Sequence, residues 1–256
     1  MLFDTHAHLD DERFKEDFNE VLDKIKNAGV DFVVNPGYDI PSSKNAVLLS
    51  EKYDFIYAAV GVHPHDSDSL TEDGIDTLKE LSKNKKVVAI GEIGLDYYYD
   101  LSDREIQKKW FSRQMELALE VKKPVIIHDR DAHKDTMDIL KANGVEKTGG
   151  VLHCFSGSVE MAREALDLGM YISFAGPVTF KNAKKLVEVA EYVPLDKIFI
   201  ETDSPYLTPV PKRGERNDCS NVRYVAEKIS EIKNIPFEEV CRQTKENALS
   251  FFGIKK

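Results

Sequence analysis

The sequence predicts a (β/α)8, or TIM, barrel with a metal site at the carboxyl ends of its strands. Three observations lead there. Short apolar runs recur eight times, amphipathic stretches separate them, and the 256 residues match the roughly 250 typical of such barrels. The runs are LF before Asp4, FVV at 32–34, FIYAAV at 55–60, VVAI at 87–90, VII at 125–127, VL at 151–152, MYI at 170–172 and IFI at 198–200. Their continuous apolar character suits strands buried on both faces, as in a parallel sheet. No linker, low-complexity segment or sequence repeat interrupts the rhythm, so one domain over residues 1–256 is expected.

The elements follow in order. Residues 2–8 read as the first strand. In residues 10–29, Phe14, Phe18, Val21, Leu22 and Ile25 share one helical stripe, with Asp10 and Asp11 placed to cap it and Gly29 to end it. Residues 103–123 repeat the pattern with Trp110, Phe111, Leu117, Ala118 and Val121. Further helical patterns lie near 41–52, 72–83, 134–142, 159–168, 181–191, 220–232 and 236–251. A doubly wound open sheet is the structural alternative, but no Gly-rich turn follows the first run.

Composition narrows the function. Apolar residues make up 42% and charged residues 31%, a globular balance. The net charge of −10 weighs against a protein that coats nucleic acid through many Lys/Arg–phosphate contacts. It leaves room for a phosphate ester gripped by metal ions and a few local bases. No run approaches the roughly 20 apolar residues of a membrane span. Asp4 stands where a signal peptide needs its apolar stretch, so no export and no membrane association are expected. Cys154, Cys219 and Cys241 are scattered and odd in number, which fits a reducing cytoplasm.

Six of the seven histidines fall at or just after run ends: His6 and His8, His63 and His65, His128, and His153. Glu92 and Asp203 have the same address. In a barrel these ends converge on the face where active sites are built. Residues two apart in a strand point the same way, so His6 and His8 share an orientation, as do Glu201 and Asp203. Imidazoles and carboxylates form a mixed ligand set suited to Zn, Mn, Fe, Co or Ni, and to Mg when water completes the shell. Six candidate ligands, His6, His8, Glu92, His128, His153 and Asp203, exceed the needs of one zinc. Two divalent ions (Mg, Mn or Zn) bridged by Glu92 fit better. Cys154, next to His153, points to the opposite face and reads as packing. His65 and His133 read as solvent-facing.

With these residues in place, the chain resembles the TatD family of metal-dependent deoxyribonucleases, in the amidohydrolase-like superfamily. The matching segments are DTHAHLD at 4–10, GVHPH at 61–65, GEIGLDYY at 91–98, PVIIHDRDA at 124–132, LHCFSG at 152–157, ETDSPYLTP at 201–209 and RGERN at 213–217. The resemblance implies one ion on His6, His8, Glu92 and Asp203, and a second on Glu92, His128 and His153. It also implies hydrolysis of DNA phosphodiesters by a 3′→5′ exonuclease acting on single-stranded ends. Acidic Glu215 and the nearby Cys219 depart from the basic character of the loop after the last run. A lysine that many amidohydrolases carboxylate is replaced by Glu92.

The mechanism expected is attack by a metal-activated water. Catalytic roles fall to Asp203, which holds metal and takes the water's proton, to Glu92, and to His63, which hydrogen-bonds a phosphate oxygen or passes a proton to the leaving group. Arg130, Arg213 and Arg216, with Lys212, are the candidate substrate contacts. Asp4 and Asp96 are placed to orient ligand histidines, and Tyr97 and Tyr206 to stack a base. Two other functions compete: a metal-dependent hydrolase of another ester or amide, and a non-enzymatic barrel that binds without turnover. A monomer is the expected state.

Overall fold

A computed structural model describes residues 1–255. Eight parallel strands lie in the order β1 (Leu2–Asp4), β2 (Val30–Pro36), β3 (Ile56–Val60), β4 (Val87–Asp96), β5 (Val125–Arg130), β6 (Gly150–Leu152), β7 (Tyr171–Phe174) and β8 (Ile198–Ile200). Each pairs with the next in sequence. The intervening helices are α1 (Phe18–Asn27), α2 (Ile40–Lys52), α3 (Glu72–Leu81), α4 (Arg104–Val121), α5 (His133–Ala142), α6 (Val145–Thr148), α7 (Val159–Asp167), α8 (Lys184–Tyr192), α9 (Val222–Lys233) and α10 (Phe237–Phe251).

The first and last strands meet through the segments that follow them. Thr5 N donates to Ile200 O at 3.2 Å, Asp203 N to His6 O at 2.9 Å and His8 N to Ser204 O at 2.8 Å. Asp4 joins the same seam, accepting from Thr202 N at 2.9 Å and Thr202 Oγ1 at 2.6 Å. Burial first of all pushes the Asp4 carboxyl up, to about 7, against those two hydrogen bonds.

Two apolar masses hold the fold. One fills the layer between the sheet and the helical ring and includes Phe14, Val21, Ile25, Phe111, Leu117 and Ala118. The other fills the floor of the barrel. There Phe3, Val34, Val88, Ile126, Val151 and Phe199 pack against Leu249, Phe252 and Ile254 from α10 and the residues after it. The chain's last helix thus stops the end opposite the histidines.

Three expectations need correction. The first helix begins at Phe18, not at the cap residues Asp10 and Asp11. Asp11 caps a single 3-10 turn (Glu12–Phe14), accepting from Arg13 N at 2.9 Å. Asp10 instead receives Asn35 Nδ2 at 2.9 Å. Short carboxylates compete in this way with helical hydrogen bonding. Secondly, β1 stops at Asp4, because Asp4 turns its carboxylate to His6 N and Thr202 N. The histidines therefore follow the strand rather than ending it. Thirdly, α6 was not foreseen, since four residues are too few for helical periodicity.

Candidate metal centre

His6 and His8 (after β1), Glu92 (in β4), His128 (in β5), His153 (after β6) and Asp203 (after β8) come together at the carboxyl end of the barrel. Glu92 lies at the centre. Its Oε1 is 2.8 Å from His153 Nε2, 2.9 Å from His128 Nδ1 and 3.5 Å from His63 Nε2. Its Oε2 is 3.3 Å from His6 Nε2 and 3.8 Å from His8 Nε2. Asp203 Oδ1 lies 3.8 and 3.6 Å from the same two nitrogens. Asp203 sits in the left-handed backbone region, with φ 53°. A non-glycine residue held there is strained, a feature that clusters at functional sites.

The outer nitrogens sort the imidazoles. His128 Nε2 donates to Asp96 Oδ2 at 3.0 Å, and His153 Nδ1 to Glu201 Oε1 at 3.2 Å. In the neutral rings the inner nitrogens therefore present lone pairs. They lie 3.3 Å apart and both face the same oxygen of Glu92. A cation among these three groups would satisfy all of them at once. His6 Nε2 and His8 Nε2, 3.2 Å apart, face the other oxygen of Glu92, but their outer Nδ1 atoms are buried with no hydrogen-bond partner among the described residues. Around a metal with roughly 2.0–2.2 Å bonds, tetrahedral ligand edges run about 3.3–3.6 Å. The observed separations fall near that range, so the residues fit divalent ions.

By distance alone, the donor groups are His6/His8/Asp203, His6/His153/Glu201 and His63/Glu92/His128. Hydrogen bonding removes two members. Both Glu201 oxygens are already engaged, Oε1 by Cys154 N at 2.7 Å and Oε2 by Ser173 Oγ at 2.6 Å. His63 Nδ1 accepts from His65 N at 3.1 Å, so its proton sits on Nε2. A metal-bound histidine donates from its far nitrogen; His63 accepts there, which makes it a donor toward the site and not a ligand.

Charge ties the same groups together. Burial would raise the Glu92 carboxyl, but the imidazoles of His153, His63 and His6 and the His128 hydrogen bond hold it well below the usual range. Burial and the neighbouring His128 push His63 well below its ordinary value, leaving it neutral. Burial works against His153 as well, yet Glu92 and Glu201 hold it well above. Such opposed shifts in one cleft mark a functional site.

Several supports had no clear local signal. Glu201 orients His153, a role not assigned from the sequence. His65 is not simply solvent-facing: its Nε2 donates to Asp96 Oδ2 at 2.9 Å, so Asp96 clamps His65 and His128 together. Gln107 Nε2 donates to Asp96 O at 3.2 Å, and Gln114 brackets Val62 through both backbone groups. These two glutamines lie seven residues apart on the buried face of α4, among Trp110, Phe111 and Leu117. A polar pair inside an apolar stripe was the available clue.

Gly94 is required by close approach. Its φ is 145°, and a Cβ there would lie 1.9 Å from His128 O. Asp96→Asn keeps the oxygen that accepts Tyr98 N and Tyr99 N but loses the acceptor for His128. Ion affinity in the pocket of Glu92, His128 and His153 is expected to fall about 10–100-fold, measured by titration calorimetry against the unaltered protein.

The remaining expected site residues occupy the rim or lie outside it. Arg130 lies over Tyr98 and Tyr99, 4.0 and 4.7 Å from the ring centres. Arg213 lies 4.2 Å over Phe180. Arg216 is engaged by Asp17 and Arg13 O and covers Phe14. Lys212 lies 3.4 Å from Glu215. Tyr206 is exposed and edge-on to His8, whereas Tyr97 is half-buried and donates to Asp135 at 2.7 Å. Asp4 bonds Thr202 and the His6 backbone, not an imidazole. His133 pairs with Asp129 at 2.5 Å. Cys154, half-exposed beside His153, has Asp203 and Arg130 as electrostatic neighbours instead of packing away from the site. No described helix is long and apolar enough to cross a membrane.

The family model described as TatD related DNase matches residues 3–253. A protein of Bacillus subtilis (strain 168), described as the uncharacterized metal-dependent hydrolase YabD, is 52% identical over 254 residues, covering 99% of this chain and 100% of that protein. The 3′-5′ ssDNA/RNA exonuclease TatD of Citrobacter koseri is 32% identical, covering 99% of each. Among solved structures, YjjV, a TatD homolog from Escherichia coli K12, superposes with a TM-score of 0.93 at 30% identity, covering 99% of this chain and 98% of that one.

Proposed function

Because the chain belongs to the TatD-related DNase family of metal-dependent hydrolases, we propose that it removes nucleotides from single-stranded DNA ends in the 3′→5′ direction by hydrolysing phosphodiester bonds. The observation that carries this reading is the convergence of lone pairs on both oxygens of Glu92. His6, His8, Glu92 and Asp203 would hold one divalent ion, and Glu92, His128 and His153 a second. When bound, such ions lower the pKa of a water and polarise a phosphoryl oxygen.

The chain's own groups do the rest. Asp203, at the seam and partly open to the mouth, orients the attacking water and accepts its proton on a carboxylate oxygen. The neutral His63 donates from Nε2 to a phosphate oxygen, and its Nδ1 is kept in the accepting state by the His65 backbone. Arg130 and Arg213 have no carboxylate partner among the described residues and are available to phosphate. Arg216, already paired with Asp17, is the least free of the three arginines.

The test is metal-dependent release of nucleotides from a single-stranded oligonucleotide. Asp203→Ala is expected to lower kcat/KM about 10³-fold, some 4 kcal/mol of transition-state stabilisation. A fully metallated protein that is inert on DNA ends but turns over an ester or amide would move the reading to another hydrolase.

A further inference from the structure

The rim of the barrel mouth is electrically divided. On the side of the loops after β5, β7 and β8 stand Arg130, Lys181, Lys184, Lys185 and Arg213. None of these five is in an ion pair among the described residues, although most of the chain's other arginines are. Lys181, Lys184, Lys185 and Arg213 are exposed. Val210 N donates to Thr179 Oγ1 at 2.9 Å and Arg213 covers Phe180, so the β7 and β8 loops form one surface. Lys185 acts electrostatically on His133 at the start of α5, which places it toward the β5 side.

The sector across the seam between β8 and β1 follows β1, β2 and β3, with Tyr206 of the β8 loop at its edge. Asp10, Asp11, Asp39 and Asp66 lie there, and only Asp11 is paired with an arginine, Arg13. Asp10, Asp39 and Asp11 all act on the Tyr38 hydroxyl, which burial pushes up. The acidic side carries two exposed rings, Tyr38 and Tyr206, edge-on to His8 at 6.1 and 6.4 Å. The metal ligands lie between the sectors.

Resting on the hydrolase reading above, we infer that this division sets the lie of a single-stranded polynucleotide and admits only ends without a terminal phosphate. The phosphates upstream of the scissile bond run over the basic sector, where charge attraction governs affinity. The terminal nucleoside sits against the open face of Tyr38 and the face of Tyr206 that Arg13, 4.1 Å over the ring centre, leaves uncovered, where any base can stack. A phosphate on that terminus would enter the carboxylates of Asp10, Asp39 and Asp66 with no lysine or arginine paired to them. The same repulsion stops the strand from continuing past the site, which makes cleavage end-specific.

The experiment compares 5′-labelled oligonucleotides that end in a 3′-hydroxyl or a 3′-phosphate, using the metal-loaded protein. The 3′-phosphate is expected to lower kcat/KM at least about tenfold, and Asp66→Asn to recover part of that loss. Together, Lys181→Ala, Lys184→Ala and Lys185→Ala are expected to raise KM and to reduce the slope of log affinity against log salt by about two, at roughly 0.7 for each single-strand phosphate contact. Lys24→Ala with Lys26→Ala, on the exposed face of α1, leaves KM unchanged. Equal cleavage of both ends, or an unaltered salt slope, overturns the inference. Bis(p-nitrophenyl) phosphate separates the two possible failures. If the unaltered protein cleaves neither this small diester nor DNA, the phosphodiester reading falls and takes the inference with it. If it cleaves the diester and both DNA ends alike, the inference alone falls.

Discussion

Replacing Glu92 with Gln is expected to lower kcat/KM at least about 10³-fold, or roughly 4 kcal/mol, and to reduce the bound metal. The amide preserves the volume of a side chain that is only 4% exposed. It substitutes one neutral oxygen and an NH2 for the two anionic oxygens shared by His6, His8, His128 and His153. The NH2 would point hydrogens at nitrogens that need a cation. Elemental analysis of the purified variant, alongside turnover of a single-stranded oligonucleotide, checks both effects. Near-UV circular dichroism should match the unaltered protein. A variant with full metal content and normal turnover would remove Glu92 from the centre of the site.

Phe252→Ala is expected to cost about 3–5 kcal/mol of stability, from lost burial plus the cavity left behind. At about 2–4 °C per kcal/mol for a protein of this size, the melting temperature should fall by about 10 °C. Phe252 is 6% exposed and lies against Phe199, Phe3 and Phe251, at 5.9, 6.1 and 5.0 Å between ring centres. Tyr192→Ala, at an exposed ring, should change stability by no more than about 0.5 kcal/mol. Denaturant unfolding of both variants distinguishes a floor that bears on stability from one that merely covers the barrel.

The barrel was legible because its strands are apolar throughout and its helices keep a stripe, so periodicity and length agreed. The candidate ligands were legible because a histidine or carboxylate immediately after an apolar run has one address in such a fold. Asp96 was expected to orient a ligand histidine and does so for His128, but Glu201, Gln107 and Gln114 were harder to place, since their roles are contacts across the sheet between residues distant in sequence. Glu201 is 48 residues from His153, and spacing along the chain carries no trace of that pairing. The start of α1 was misplaced for the opposite reason. A carboxylate before an apolar stripe signals a helix cap, but Asn35 on the neighbouring strand claimed Asp10.

The seam between the two ends of the sheet has a consequence for protein synthesis. His6 O accepts from Asp203 N, so one half of the site emerges from the ribosome first and its complement only after some two hundred further residues. A nascent chain carries His6 and His8 before it carries Asp203. The full set of candidate ligands therefore comes together only when the last strand closes the barrel. Circularly permuting the chain, with its present ends joined and new ones opened at residue 100, would bring His6, His8 and Glu92 out after Asp203, make Glu92 the last ligand to emerge, and delay completion of the site during synthesis.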